Sequence, residues 1–246
     1  MFPAVFLCVE KHAPPSIRPL TRLLGLNMIR ILSGSLLCIF ALTPGLAVAD
    51  KPKLDSEFVA IFDGSTLDGW KKSNENPDAW KVENGMLKSD GKRCHLFYTG
   101  SLAPMKNFHF KADVKTTPGS NAGIYFHTKY QDKGWPKFGY ECQVNVTHKD
   151  AKKTSSLYAV ENVDAKMLSD IGVKDNEWYT QEIIVKGRHI QLKVNGKTLV
   201  DYKEPENKPA FDKNFERRLG EGTIALQAHD PKSVVYFKNL QVKKLD

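Results

Sequence analysis

The chain has 246 residues and a formal net charge of +8 at pH 7, and 41% of its residues are hydrophobic. That length suits one domain with a sizeable core. The lysine and arginine residues are scattered along the chain rather than clustered. This distribution indicates a solvated basic surface and speaks against a nucleic-acid partner.

The N-terminal segment 1–49 predicts a secretory signal peptide. Met28-Ile29-Arg30 begins a short basic segment, an apolar stretch follows, and Ala47-Val48-Ala49 places small residues before an expected cleavage site after Ala49. The apolar stretch is too short for a membrane span. Because a signal begins close to its charged region, Met28 is the expected true start and 1–27 an upstream misassigned one. The expected mature protein, 50–246, is periplasmic or secreted.

The mature region consists mainly of short segments typical of β-strands. Strands are predicted at 58–62, 80–83, 86–89, 108–114, 121–127, 140–147, 178–185, 189–194, 198–202, 223–229 and 234–242. Asn84-Gly85 and Asn195-Gly196 are hairpin turn sequences, and the helix candidate at 165–171 is short. This pattern predicts an all-β fold, a β-sandwich forming a single domain. Rim loops, which often carry function, are expected at 129–138, 149–155 and 203–221.

One predicted strand, 140–147, alternates without a break between apolar and polar side chains. One face carries Tyr140, Cys142, Val144 and Val146, and the other carries Glu141, Gln143, Asn145 and Thr147. Such alternation indicates one buried face. The second face is a row of hydrogen-bonding groups without a lysine, which is typical of the floor of a sugar-binding cleft. An ordinary solvated sheet face is the alternative.

Several motifs occur in an order that resembles a known family. They are Phe62-Asp63-Gly64 with Leu67-Asp68-Gly69-Trp70, Trp80-Lys81-Val82-Glu83-Asn84-Gly85, Asn121-Ala122-Gly123-Ile124, Gly139-Tyr140-Glu141-Cys142-Gln143, Ser156-Leu157-Tyr158, Asn176-Glu177-Trp178, Val194-Asn195-Gly196 and Gly222-Thr223-Ile224-Ala225-Leu226-Gln227-Ala228-His229. The sequence resembles the 3-keto-disaccharide hydrolase domain family over nearly all of 57–245. The resemblance implies a concanavalin A-like jelly-roll sandwich and an exported carbohydrate-active protein.

The sequence departs from the family pattern at three points. His127 lies where the strand of Asn121 commonly continues to an arginine. The segment Asn145-Val146-Thr147 replaces an aspartate that is common after the Glu-x-Gln motif, and Ser155 replaces a glycine. Because these replacements change the charge contacts of the site, the substrate and the activity can differ from those of the family.

The polar face of strand 140–147 disfavours an ordinary two-carboxylate glycosidase. Retaining enzymes place two carboxylates about 5–5.5 Å apart and inverting enzymes about 6.5–9.5 Å apart. After Glu141, the same face carries the amides Gln143 and Asn145, which act neither as nucleophile nor as proton shuttle. Cleavage of a 3-keto sugar does not require two carboxylates. Its ketone acidifies the proton on C2, so one base can remove that proton and the C1 leaving group then departs by elimination.

The catalytic pair predicted from these residues is Glu141 and His229, one acting as base and the other as proton donor or orienting group. Gln143 and Asn121 are expected to hydrogen-bond sugar hydroxyls or the enolate. The remaining predicted pocket residues are His127, Asn145, Tyr158 and Gln227, with Trp135 as a stacking surface for a pyranose ring. For each residue an ordinary structural role is the alternative: a surface ion pair, a hydrogen bond to a loop, or a turn contact.

Other residues of the mature region bear on redox state and packing. Cys94 and Cys142 can pair in an exported protein, but Cys142 falls on the apolar face of its strand, which is equally consistent with a buried free thiol. Trp70, Trp80 and Trp178 are expected in the core.

No cofactor is expected, and no Cys/His spacing of the zinc type is present. A divalent cation stays an alternative if His127, Glu141, His148 and His229 converge in the fold, since it would polarise the ketone.

Three functions therefore compete. The first is an exported hydrolase of 3-keto-glycosides. The second is a non-catalytic, lectin-like carbohydrate-binding module of the cell envelope. The third is a structural domain that uses its basic face to bind anionic glycans. A catalytic site should contain a buried titratable group with a shifted pKa inside a cleft, whereas a lectin should have a shallow groove whose acids titrate normally.

Overall fold

The computed structural model describes residues 58–246, so the predicted signal peptide and the expected start at Met28 lie outside the described residues. Within 58–246, no helix is long and apolar enough to cross a membrane. The strands are β1 (Val59–Ala60), β2 (Trp70–Lys72), β3 (Trp80–Glu83), β4 (Met86–Asp90), β5 (Cys94–Tyr98), β6 (Phe108–Thr116), β7 (Ala122–Thr128), β8 (Tyr140–Val144), β9 (Tyr179–Lys186), β10 (His189–Val194), β11 (Lys197–Lys203), β12 (Thr223–Ala228) and β13 (Val234–Lys244). The same residues include one α-helix, α1 (Ala165–Asp170), and a short 3-10 helix at Pro77–Ala79.

The strands form two antiparallel sheets that pack face to face. The eight-stranded sheet has the order β11-β10-β9-β6-β13-β4-β3, with β1 paired to β13, and the five-stranded sheet has the order β2-β5-β12-β7-β8. The core between them is built from alternate side chains, as β6 shows with buried and half-buried residues in strict alternation. The predicted all-β, concanavalin A-like jelly-roll sandwich is confirmed.

Turn chemistry sets the hairpins, as the sequence predicts. Asn84 and Gly85 have φ values of 51° and 78°, and Asn195 and Gly196 have 50° and 77°. Two consecutive residues at positive φ form the turn whose twist matches that of a two-stranded hairpin. These turns join β3 to β4 and β10 to β11.

Four of the five strands of the smaller sheet are buried on both faces, because long loops cover its outer side. Every residue of β5, β7, β8 and β12 is buried. β5 is a nearly continuous apolar run without the alternation of a half-exposed strand. β8, although equally buried, keeps its alternation because its polar side chains Glu141 and Gln143 line a cavity. β5 was therefore not predicted from the sequence, and neither was the short β2.

Three local predictions from the sequence concern the tryptophans, the cysteines and the end of strand β8. Trp70 and Trp80 are in the core, but Trp178 is only half-buried and lies under the amino groups of Lys115 and Lys238, so its core assignment was wrong. The two cysteines of the described chain are both buried and free. Strand β8 ends at Val144 rather than at 147.

Candidate functional site

A cavity of about 350 Å³ lies between the outer face of the five-stranded sheet and the long loops that cover it. This volume falls in the range of small-molecule sites, about 300–1,000 Å³. The structure brings seven of the predicted site residues to its wall: Asn121, Trp135, Glu141, Gln143, Tyr158, Gln227 and His229. The wall also contains four residues that the sequence analysis did not select: Tyr125, Asp150, Phe215 and Arg217.

The floor of the cavity is shaped by a glycine in a row of larger side chains. His95 of β5 pairs with Gln227 of β12, and Gly123 of β7 pairs with Gln143 of β8. The register between β12 and β7 continues this row from Gln227 to Gly123. Because Gly123 has no side chain, the carboxylate of Glu141 occupies the gap above it. A Cβ atom at Gly123 would lie 2.5 Å from Glu141 Oε1.

Glu141 is held in this gap by neutral and charged donors. The Tyr125 hydroxyl donates to Oε2 at 2.9 Å, and the Gln227 side-chain amide donates to Oε1 at 2.9 Å. The residue is only 4% exposed. Burial raises the pKa of its carboxyl, and the Arg217 guanidinium, the Tyr125 hydroxyl and the Gln227 amide partly oppose that rise. The result is a single buried carboxylate that is a stronger base than an exposed one.

Arg217 supplies positive charge on the loop side of Glu141. Its two terminal nitrogens lie 3.5 Å from Glu141 Oε2, and the residue is 5% exposed. Its Nε–H is buried without a hydrogen-bond partner among residues 58–246. A buried donor without a partner is costly. Arg217 is therefore suited to bind an oxygen atom of a ligand in the cavity.

His229 forms a dyad with its neighbour in sequence. Its Nδ1 lies 2.9 Å from Asp230 Oδ2, and Asp230 also accepts from the Ser233 hydroxyl at 2.7 Å. Burial works against ionisation of Asp230, but the hydrogen bonds from Ser233, His229 and the Lys232 amide outweigh it and lower the carboxyl pKa. The ionised carboxylate fixes the tautomer with Nδ1–H, which leaves Nε2 of His229 free to exchange protons.

Trp135 packs against His229 rather than presenting two open faces. The two ring centroids are 5.2 Å apart at an interplanar angle of 36°. The Arg93 guanidinium lies 4.8 Å from the Trp135 ring, and Arg93 in turn binds Glu75 at 2.6 Å. Gly134 N–H donates to Glu75 Oε2 at 2.8 Å, which ties the Trp135 loop to this ion pair. Trp135 therefore supports the imidazole as well as lining the cavity.

Two amide oxygens on the wall are buried and have no hydrogen-bond partner among residues 58–246. They are Asn121 Oδ1 and Gln227 Oε1. Asn121 Nδ2 lies 3.3 Å from His148 Nδ1, a ring whose pKa is lowered mainly by burial, then by the nearby His229. Buried acceptors without partners are uncommon in folded proteins. They suit the hydroxyl groups of a sugar.

Two predicted pocket residues lie elsewhere. Asn145 is fully buried and its amide donates to the carbonyls of Asp150 and Lys152, so it shapes the loop that carries Asp150. His127, at φ 55°, donates from Nε2 to the Lys106 carbonyl and accepts at Nδ1 from Gly220 N–H. Its ring lies against Phe108 and Phe126. A left-handed backbone at His127 breaks the alternation that would have aimed this ring at the cavity.

The wall residues that the sequence analysis missed carried weak signals. Tyr125 lies two positions before His127 in β7, a strand that is buried throughout. Its neighbours in sequence are apolar, so no alternation indicated that its side chain faces the cavity. Asp150, Phe215 and Arg217 lie on long loops, whose path the sequence does not define. Within 58–246, no three His, Cys, Asp or Glu side chains are grouped closely enough to hold a metal ion.

The two packed antiparallel sheets define a jelly-roll β-sandwich, with the cavity on the outer face of the five-stranded sheet. Among solved structures, a Parabacteroides distasonis protein provisionally named a glycosyl hydrolase superposes with a TM-score of 0.63 at 23% identity, covering 78% of this chain and 95% of its own. A Bacillus licheniformis beta-glucanase superposes with a TM-score of 0.50 at 10% identity, covering 77% of this chain and 97% of its own. These two likenesses concern the fold alone.

Sequence comparison gives a narrower assignment. The model of the 3-keto-alpha-glucoside-1,2-lyase-like domain matches residues 57–243. A 3-keto-disaccharide hydrolase of Bacteroides thetaiotaomicron is 25% identical over 234 residues, which covers 77% of this chain and 79% of that protein. The chain belongs to the 3-keto-alpha-glucoside-1,2-lyase-like domain family, and the resemblance drawn from its motifs is confirmed.

Proposed function

We propose that this protein is an exported enzyme that cleaves 3-keto-glycosides by elimination followed by hydration. Membership of the family and the name of the Bacteroides relative support the substrate class. The observation that carries the mechanism is the buried carboxylate of Glu141, held at the cavity floor with a raised pKa and with Arg217 beside it. The signal-like sequence 1–49 supports export.

Glu141 is the base in this proposal. It removes the proton from C2 of the keto sugar, the C1–O bond breaks, and a C1=C2 double bond forms in conjugation with the ketone. Negative charge accumulates on the ketone oxygen before the leaving group departs. A buried guanidinium next to the base stabilises such an oxyanion, and the unpartnered Nε–H of Arg217 is suited to this role.

His229 is the proton donor. Its protonated Nε2 donates to the departing glycosidic oxygen while Asp230 holds Nδ1–H. The neutral imidazole then accepts a proton from water as the water adds to C1, and Glu141 returns its proton to C2. The net reaction consumes one water molecule and leaves the enzyme unchanged. General acid–base help of this kind contributes about 10²–10⁴-fold to the rate.

A second candidate function is ordinary glycoside hydrolysis with two carboxylates. Asp150 supports it, because it lines the same cavity as Glu141. In the structure Asp150 Oδ1 accepts from the Lys152 amide at 2.9 Å. The two functions differ in their substrates, since only elimination requires the ketone.

The test compares 3-keto-glucosides of both anomers with their 3-hydroxy parents, using wild type, Glu141→Gln and Glu177→Gln. Glu177 is exposed, so its variant is the matched control for loss of a carboxylate. We expect turnover of keto substrates only, loss of turnover in Glu141→Gln, and slower turnover when C2 carries deuterium. Turnover of 3-hydroxy substrates without a deuterium effect would favour the two-carboxylate reaction. Sugar binding without any turnover would favour the lectin-like module.

A further inference from the structure

The loop 204–222, between β11 and β12, crosses the edge of the five-stranded sheet at β8. Neighbouring residues of β8 contact this loop from opposite faces of the sheet. Tyr140 faces the core, where its hydroxyl donates to Glu204 Oε2 at 2.5 Å. Glu141 faces the cavity, where it meets Arg217. One loop therefore contacts both sides of the same strand.

Lys208 connects these two contacts. Its amino group donates to the Tyr140 hydroxyl at 2.8 Å and also to the main-chain carbonyl of Arg217. The Glu204 carboxylate, 8% exposed as a residue, also accepts from Leu219 N–H at 2.8 Å. Tyr140 and Glu204, which are buried, and the half-buried Lys208 form a hydrogen-bonded unit, which we name the edge clamp. The clamp fixes the loop on both sides of Arg217.

Arg217 needs such a restraint. Its φ is 44°, in the left-handed region that residues with a Cβ atom seldom occupy. This conformation is unfavourable for a residue with a Cβ atom and persists only where the surrounding contacts enforce it. The bond from Lys208 to the Arg217 carbonyl is a restraint on that same residue. Without it, the backbone is free to relax to negative φ, and the guanidinium would move away from Glu141.

We propose that Tyr140, Glu204 and Lys208 are positioning residues that hold the Arg217 guanidinium over the Glu141 carboxylate. The edge clamp itself does not touch the cavity, because none of its three members lines the wall. It acts through the backbone of Arg217. The catalytic consequence rests on the proposed function, whereas the geometric one, the contact between Arg217 and Glu141, can be measured without substrate.

The test uses Lys208→Met, which keeps the length of the side chain and removes its hydrogen bonds. Lys213→Met is the matched control, because Lys213 is exposed in the same loop. The first readout is the titration of the Glu141 carboxyl carbon by ¹³C NMR, assigned with Glu141→Gln. Arg217 lowers the pKa of Glu141. We therefore expect this pKa to rise in Lys208→Met, in the same direction as in Arg217→Gln and no further, and to stay unchanged in Lys213→Met.

The second readout is turnover of a 3-keto-glucoside. We expect kcat to fall by about 10–100-fold in Lys208→Met with KM little changed, because a misplaced group that acts on developing charge affects the transition state. Tyr140→Phe, which keeps the ring stacked on Phe126, is the second variant should Lys208→Met fail to fold.

A folded Lys208→Met protein whose Glu141 titration matches that of Lys213→Met would overturn the proposal. A shifted titration in a protein that never turns over keto sugars would support the clamp and refute the proposed function instead. The NMR titration therefore distinguishes a failure of the edge-clamp proposal from a failure of the proposed function.

Discussion

The cavity floor depends on the absence of a side chain at Gly123, and Gly123→Ala tests that dependence. An added Cβ would lie 2.5 Å from Glu141 Oε1 and 3.1 Å from its Cγ, whereas ordinary contacts begin at 3.4 Å. Gly123 does not have a positive φ, so alanine fits the backbone without strain. The perturbation therefore acts on the carboxylate: Glu141 must move by roughly 1 Å to restore a normal contact.

The expected effect on activity is much larger than the effect on stability. A misplacement of about 1 Å at a reacting group costs about 10²-fold in rate. The move also lengthens the hydrogen bond from Gln227 to Oε1, now 2.9 Å. Overpacking costs about 1–3 kcal/mol, but alanine regains about 0.5–1 kcal/mol over glycine in a strand. We expect kcat/KM to fall about 10²-fold and the free energy of unfolding to fall by no more than about 2.5 kcal/mol.

The assay is keto-glucoside turnover together with urea unfolding for wild type, Gly123→Ala and Gly220→Ala. Gly220 is the control, since a Cβ there meets nothing within 4 Å and its φ is not positive. Wild-type activity in a stably folded Gly123→Ala protein would refute the reasoning, because it would show that the observed position of Glu141 is not required.

Three further predictions concern pH, the histidine dyad and the core. Burial raises the pKa of Glu141 above its ordinary value of 4.5, so kcat/KM should decline as the pH falls through that raised pKa; an acid limb below pH 4 would exclude Glu141 as the base. Asp230→Asn should lower kcat by up to about 10²-fold, because the carboxylate no longer holds His229 in the tautomer with Nδ1–H. Lys232→Gln is the control, and an unchanged kcat in Asp230→Asn would count against the dyad. Leu87→Ala, at a fully buried position between β3 and β13, should lower the free energy of unfolding by about 2–5 kcal/mol in urea titrations, and a smaller loss would indicate that the core relaxes around the cavity.

The predictions made from the sequence hold best where short-range chemistry decides the structure. The Asn-Gly turns place two residues at positive φ within two positions, and only local backbone energetics are involved. The alternation of Glu141 and Gln143 with Tyr140 and Cys142 likewise identified the polar face of β8, because successive side chains of a strand point to opposite sides. The family resemblance, which depends on the order of such motifs, was confirmed as well.

The sequence by itself determined the strands that have one apolar and one polar face, the tight turns, and the polar strand at the cavity floor. Tertiary structure decided the rest. It gave β5 two buried faces, it brought Arg217 across the sheet edge to Glu141, and it turned His127 away from the cavity. The physical reason is range: propensity and alternation act over a few residues, whereas a loop's path depends on contacts such as that between Tyr140 and Glu204, 64 positions apart.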